Sequence, residues 1–132
     1  MKKTFTAENS QIRIIINEIK LFVENLNCND ELLNIIHIVS DEVLSNIIKY
    51  AYKNPYGIIE IECKTDCNNC LSIIFIDLGI PFNPLKFKKE DSELFTIGMN
   101  GINIIKEFAD NIEYVRQGNA NRLIIAFNLS SK

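Results

Sequence analysis

The sequence predicts an α+β fold, a mixed and mostly antiparallel sheet with helices on one face. Three observations carry that reading. Apolar residues recur at helical spacing in some stretches and alternate in others, in the order β-α-α-β-β-loop-α-β-β. Helices and strands therefore do not alternate strictly, which disfavours a doubly wound parallel sheet. The 132 residues match one domain, residues 1–132, and are enough to bury a core.

Each element has its own signal. Lys2 to Ala7 reads as a short strand. Asn9 or Ser10 is placed to cap a first helix. Its apolar residues Ile12, Ile15, Ile16, Ile19, Phe22, Val23 and Leu26 fall on one face. Asn27 to Asn29 breaks it, and Asn29 or Asp30 caps a second helix, with Glu31 where the helix dipole favours an acid. That helix runs to about Tyr52 and stops at Asn54-Pro55-Tyr56-Gly57. Ile58 to Thr65 alternates, with Ile59, Ile61 and Cys63 on one side, and Leu71 to Asp77 is almost continuously apolar. Asp66 to Asn69 turns between them, making a hairpin. Pro81, Asn83 and Pro84 forbid regular structure, and Lys86 to Ser92 reads as a polar surface loop. Gly98 and Gly101 flank the start of a third helix carrying Ile102, Ile105 and Phe108. Asn111 to Arg116 and Arg122 to Leu129 are strands joined by a Gly118-Asn119 turn.

Composition narrows the function. A net charge of −3 argues against a nucleic-acid binder, which usually shows a basic patch. The apolar run Leu71 to Ile76, broken by Ser72, is far shorter than the ~20 residues a membrane span needs. The start, MKKTFTAENS, lacks the apolar region of a signal peptide, so a cytoplasmic location is expected. The spacing Cys63-x3-Cys67-x2-Cys70 matches the cluster triplet of radical-SAM enzymes, but those need a barrel larger than this chain. Cys63 also alternates onto the core side of its strand, and neither Cys28 nor His37 completes a paired zinc spacing.

Chemistry could sit in three places. On the second helix, Ile36, Val39, Val43, Ile47 and Tyr50 form an apolar stripe. Glu42, Asn46, Lys49 and Lys53 form a row at its edge. An Asn oxygen is a neutral hard ligand suited to Mg²⁺, a Glu one turn earlier could take a proton, and a Lys could meet phosphate. A solvated helix face has the same pattern. Asp77 ends an apolar strand, where a carboxylate is costly to bury unless hydrogen-bonded. It could accept from an exocyclic amine such as that of adenine, and Gly79 would let the backbone approach a flat ring. A strand end followed by a turn also favours Asp and Gly. Gly98 and Gly101 stand before a helix N-terminus, which attracts phosphate.

In this order the three segments resemble the nucleotide boxes of the GHKL (Bergerat-fold) ATPases. DEVLSNIIKY (41–50) resembles the N box, IDLGIPFNP (76–84) the G1 box, and IGMNG (97–101) a reduced G2 box. Within the group the chain is most similar to small anti-sigma-factor serine kinases. The resemblance implies a two-layer α/β sandwich of Bergerat type that binds ATP and Mg²⁺. It implies that Asn46 coordinates the metal, Glu42 is the general base, Asp77 holds the adenine amine and Gly79 gives the ring room. Lys49 and Tyr50 echo an N-box ending in which the lysine faces the phosphates, and Gly98 and Gly101 shape the phosphate-facing helix start.

The implied activity is serine/threonine phosphorylation of an antagonist protein, coupled to binding of a sigma factor. Family analogy adds a homodimer. The chain departs from the pattern at Met99 and Asn100, which replace Gly and Leu, and at Ile47, which replaces Ala. Its three arginines, Arg13, Arg116 and Arg122, lie outside the loop that the resemblance makes a lid before the G2 segment, where Lys86, Lys88 or Lys89 would have to stand in as point charges. Two alternatives follow. One is a catalytically weak or inactive nucleotide-binding module that acts by protein–protein binding. The other is a histidine-kinase ATP domain working in trans.

Overall fold

The computed structural model describes residues 1–26, 28–52, 57–85 and 101–129. Strand β1 (Lys2–Thr6) leads through a 3₁₀ turn (Asn9–Gln11) into α1 (Ile12–Glu24). Helix α2 (Asp30–Asn46) runs into a π-helical turn (Ile47–Ala51). Then come β2 (Ile58–Thr65), β3 (Cys70–Asp77), α3 (Gly101–Phe108), β4 (Asn111–Gln117) and β5 (Ala120–Asn128).

The strands form one sheet in the order β1-β2-β3-β5-β4. Every neighbouring pair among the described residues is antiparallel, in line with the mostly antiparallel sheet expected. The reason is topological. The β4–β5 hairpin inserts β5 beside β3, so β4, which runs parallel to β3, never touches it. Gly118, with φ +60°, supplies the positive φ that this two-residue turn needs at its first position.

The register sorts the two faces. Ile59, Asp77 and Asn121 share one row, Ile61, Phe75 and Leu123 the next, then Cys63, Ile73 and Ile125. All nine are buried. Except for Asp77 and Asn121, they belong to one core with Ile15, Ile19 and Val23 of α1 and Leu32, Ile36, Val39 and Val43 of α2. The inward rows of the sheet are thus apolar except the last, at the end of the sheet where α2 finishes.

Two helix starts differ from each other. Asn29 caps α2, its Oδ1 accepting from the Leu32 amide at 2.8 Å, with Asp30 and Glu31 in the first turn. Neither Asn9 nor Ser10 caps α1. Both lie in the 3₁₀ turn, and the Ser10 hydroxyl donates to Glu8 Oε2 at 3.4 Å instead. Cys63 points into the core, where burial pushes its thiol up to about 12, whereas Cys67 is exposed on the hairpin turn. Among the described residues no His, Cys, Asp and Glu side chains converge as a metal-binding group. No helix among them is long and apolar enough to cross a membrane.

Tyr52 clasps the sheet end. Its hydroxyl donates to the Ile58 carbonyl and accepts from the Leu78 amide at 2.7 Å, tying the residue after the π turn to β2 and to the residue after β3. Burial pushes this phenol above its ordinary range. Tyr52→Phe leaves both backbone groups without that partner, and chemical denaturation is expected to show a loss of about 1–2 kcal/mol. A loss below ~0.3 kcal/mol would show that water replaces the hydroxyl at no cost.

Candidate functional site

The polar row of the core opens into a cavity. Val43, Asn46 and Ile47 line it from α2 and the π turn, Asp77 from β3, Phe82 and Pro84 from the segment after β3, Ile105 from α3, and Tyr114, Asn121 and Leu123 from β4 and β5. Its walls are mostly apolar, with Asn46, Asp77, Tyr114 and Asn121 as its polar lining.

Asn46 is the last residue of α2 and only 7% exposed. Its Nδ2 donates to Oε1 of half-buried Glu42 at 3.3 Å, one turn earlier. That bond occupies the nitrogen and leaves Oδ1, which receives no hydrogen bond among the described residues, as the atom that could meet a cation. The donor set fits a hard cation, a neutral amide oxygen with a carboxylate beside it. After Asn46 the helix widens into the π turn, closed by the Tyr52 amide donating to the Ile47 carbonyl at 3.3 Å. This alters the phase of everything that follows. Glu42 and Asn46 are hydrogen-bonded to each other, and exposed Lys49 places its ammonium 5.1 Å from the Tyr50 ring centroid. Tyr50 stacks on Phe82 with centroids 5.6 Å apart, bracing the segment that walls the cavity. Lys53 lies outside the described residues.

Asp77, 3% exposed, uses one oxygen to hold itself. Oδ1 accepts from the Gly79 amide at 2.9 Å and from Asn121 Nδ2 at 2.8 Å. Among the described residues no hydrogen bond reaches Oδ2. Burial pushes the carboxyl above its ordinary range, against the pull of those two bonds and of Arg116.

Gly79 meets the backbone of the π turn. A Cβ there would lie 2.3 Å from the Ala51 carbonyl oxygen, so the missing side chain makes room for the π turn's backbone, and the Ile80 amide donates to that same oxygen at 2.9 Å. Gly101 is the first residue of α3. Gly98, Met99, Asn100 and the whole segment 86–100 lie outside the described residues.

Sequence reasoning missed Asn121 and Arg116. Asn121 sits 3% exposed against Asp77, and the Arg116 guanidinium donates to the Gly79 carbonyl at 2.9 Å and to Asn121 Oδ1 at 3.1 Å. Starting the last strand at Arg122 hid the signal. With the strand starting at Ala120, Asn121 takes the inward phase of Leu123, Ile125 and Phe127, and a polar residue there marks a site.

Fold and site together define the class, an ATPase domain of GHKL type. The family model for the histidine kinase-like ATPase domain matches residues 5–127, and the chain belongs to that family. Nucleotide binding of the ATPase kind is its coarse function. Among solved structures, the histidine kinase domain of the Erythrobacter litoralis EL346 blue-light-activated histidine kinase is similar, with TM-score 0.55 and 17% identity over 75% of this chain and 45% of that one. A longer structure of that kinase gives TM-score 0.51 and 18% identity over 76% and 32%. These likenesses show a shared fold, and this chain spans less than half of either structure. No curated protein matches the chain.

Proposed function

We propose that this chain, as one domain, is an Mg-ATP-dependent serine/threonine-protein kinase of the anti-sigma-factor type. The observation that carries the proposal is that Asn46, which donates to Glu42 at 3.3 Å, lines one cavity together with Asp77. A base-recognising acceptor and a metal–phosphate ligand in one pocket suit a nucleotide. Asp77 Oδ2 accepts from the adenine amine, and the apolar walls exclude water from the ring. Asn46 Oδ1 would hold the cation, and Mg²⁺ bound there would supply neutralisation of the phosphate charge during transfer. Glu42 takes the proton of the attacking serine or threonine hydroxyl as its oxygen bonds the γ-phosphorus and ADP leaves. The Glu42–Asn46 bond keeps the base beside the metal ligand and turned toward the reacting end.

The resemblance to anti-sigma-factor kinases supports a sigma factor and an antagonist protein as partners, and a cytoplasmic setting. A second reading keeps the nucleotide and drops the transfer, and Met99 and Asn100 in the G2 segment favour it.

Calorimetric titration of Mg-ATP tests the site first. Wild type is expected to bind in the micromolar range, and Asn46→Ala to bind about a hundredfold more weakly, roughly 2.7 kcal/mol. Absence of wild-type binding refutes the nucleotide reading. Glu42→Gln then separates the two functions. A kinase keeps its ATP affinity but loses phosphate transfer to its antagonist, whereas a binding module keeps its whole regulatory effect.

A further inference from the structure

The nucleotide reading leaves a polar network unassigned, and Asn121 is its hub. Its Nδ2 carries two hydrogens and donates both, to Asp77 Oδ1 at 2.8 Å and to the Ile80 carbonyl at 2.8 Å. Its Oδ1 accepts from Arg116 Nη1 at 3.1 Å, from the Phe82 amide at 3.3 Å and from the Tyr114 hydroxyl. Donors surround the oxygen and acceptors the nitrogen, so one orientation of the amide satisfies the network and the flipped one breaks it. Thus saturated, Asn121 has no hydrogen left to offer a base. Its effect on a ligand has to pass through Asp77 and the Gly79–Phe82 segment.

We propose that Asn121 is a positioning residue that ties down Asp77 Oδ1 and so presents Oδ2 as the acceptor for a purine's 6-amino group. Arg116 and Tyr114 act one step further out by fixing the amide. The proposal rests on the adenine-nucleotide reading and extends it to residues outside the three sequence boxes. A carboxylate held at one oxygen is pre-organised for a single donor, and an untethered one has to be ordered when the ligand binds.

The test compares N121D and N121S with wild type in Mg-ATP titrations at about pH 8 and about pH 5.5. N121D puts an acceptor where the donor was, 2.8 Å from Asp77 Oδ1. Two carboxylates that close repel each other when both are ionised, and as pH falls the pair takes up one proton and shares it. That proton restores the donor–acceptor bond and frees Oδ2 again. Affinity of N121D relative to wild type at the same pH is expected to be at least about tenfold lower at pH 8 and to recover to within about threefold at pH 5.5. N121S adds no ionisable group and is expected to bind about tenfold more weakly at both. The other titratable groups facing Asp77 are Arg116 and Tyr114 on β4 and Tyr52 after the π turn, and they are common to all three proteins. A purely structural role would lower affinity without a pH-dependent recovery. Thermal melts at both pH values confirm that each variant is folded, and N121S carries the test if N121D is not.

Wild-type affinity in N121S, or a pH-independent ratio in folded N121D, overturns the proposal while leaving the nucleotide reading intact. A wild type that binds no Mg-ATP overturns both.

Discussion

Asp77→Asn is expected to cost the site its adenine nucleotide and to leave the fold at least as stable as wild type at pH 7. The two halves have one cause. Asn keeps an oxygen where Oδ1 sits, so the Gly79 amide and Asn121 Nδ2 retain their acceptor. The substitution puts an amide nitrogen where Oδ2 was, so a donor then faces the donor N–H of the adenine amine. Sites built to hydrogen-bond one polar group reject a mismatch strongly. Mg-ATP affinity is expected to fall by at least about a hundredfold, roughly 2.7 kcal/mol. A 6-oxo purine nucleotide, which offers an acceptor at that position, is expected to bind the variant better than ATP does.

The stability half follows from the direction of the Asp77 shift. Its folded-state pKa is raised by burial, with the bonds from Asn121 and Gly79 and the charge of Arg116 only partly opposing it. A raised pKa means that the folded state favours the protonated form. The associated stability is fully present below the unfolded carboxyl value of 3.8 and is lost as pH rises through the folded value. At pH 7 the ionised carboxylate is therefore a net cost to folding, and a neutral amide removes it. Thermal melts from about pH 4 to pH 8 are expected to show wild type losing stability relative to Asp77→Asn as pH rises across that window. A variant that melts well below wild type at pH 7 would mean that the ionised carboxylate holds the sheet end together.

The contrast between what the sequence discloses and what it hides has a physical basis. The bounds of β2, the cap at Asn29, the turn at Gly118 and the grouping of Glu42 with Asn46 all depend on neighbours within about one turn of chain. Spacing alone reports them. The sheet order rests on pairing across long separations, which no local period encodes. The π turn is illegible for a related reason. Ile47 to Ala51 is acceptable as ordinary helix, and the wider turn becomes visible only once the Ile80 amide and Gly79 are seen packed against the Ala51 carbonyl. Arg116 was legible as a strand residue but not as a clamp on Gly79, since the two are far apart in sequence. Asn121 was lost to an error of two residues at a strand start, enough to hide the inward polar position.

Gly79→Ala is expected to damage fold and site together. The added Cβ would sit 2.3 Å from the Ala51 carbonyl oxygen and 2.7 Å from its carbon, both backbone atoms. A flexible side chain could swing aside, but this carbonyl is held by the Ile80 amide at 2.9 Å, and the π turn behind it is closed by the Tyr52 amide. Relief requires the strand end and the π turn to separate, which breaks the Ile80 bond. Overpacking of this kind costs about 1–3 kcal/mol, and the broken hydrogen bond about 1 kcal/mol more. Denaturant titration is expected to show a loss of about 2–4 kcal/mol. Gly118→Ala is the instructive control. Nothing lies within 4 Å of its added Cβ, but φ is +60°, so its smaller loss of about 1 kcal/mol would come from backbone conformation alone. The two glycines should also differ at the site. Displacing residues 78–82 pulls the Phe82 amide and the Ile80 carbonyl off Asn121 and loosens Asp77 through it, so Gly79→Ala loses Mg-ATP affinity even where it is folded. Gly118→Ala, whose strain is relieved within its own turn, keeps it. Equal affinities in the two variants would show that the Gly79–Ala51 contact serves the fold alone, and that the nucleotide pocket does not depend on how the π turn meets the end of β3.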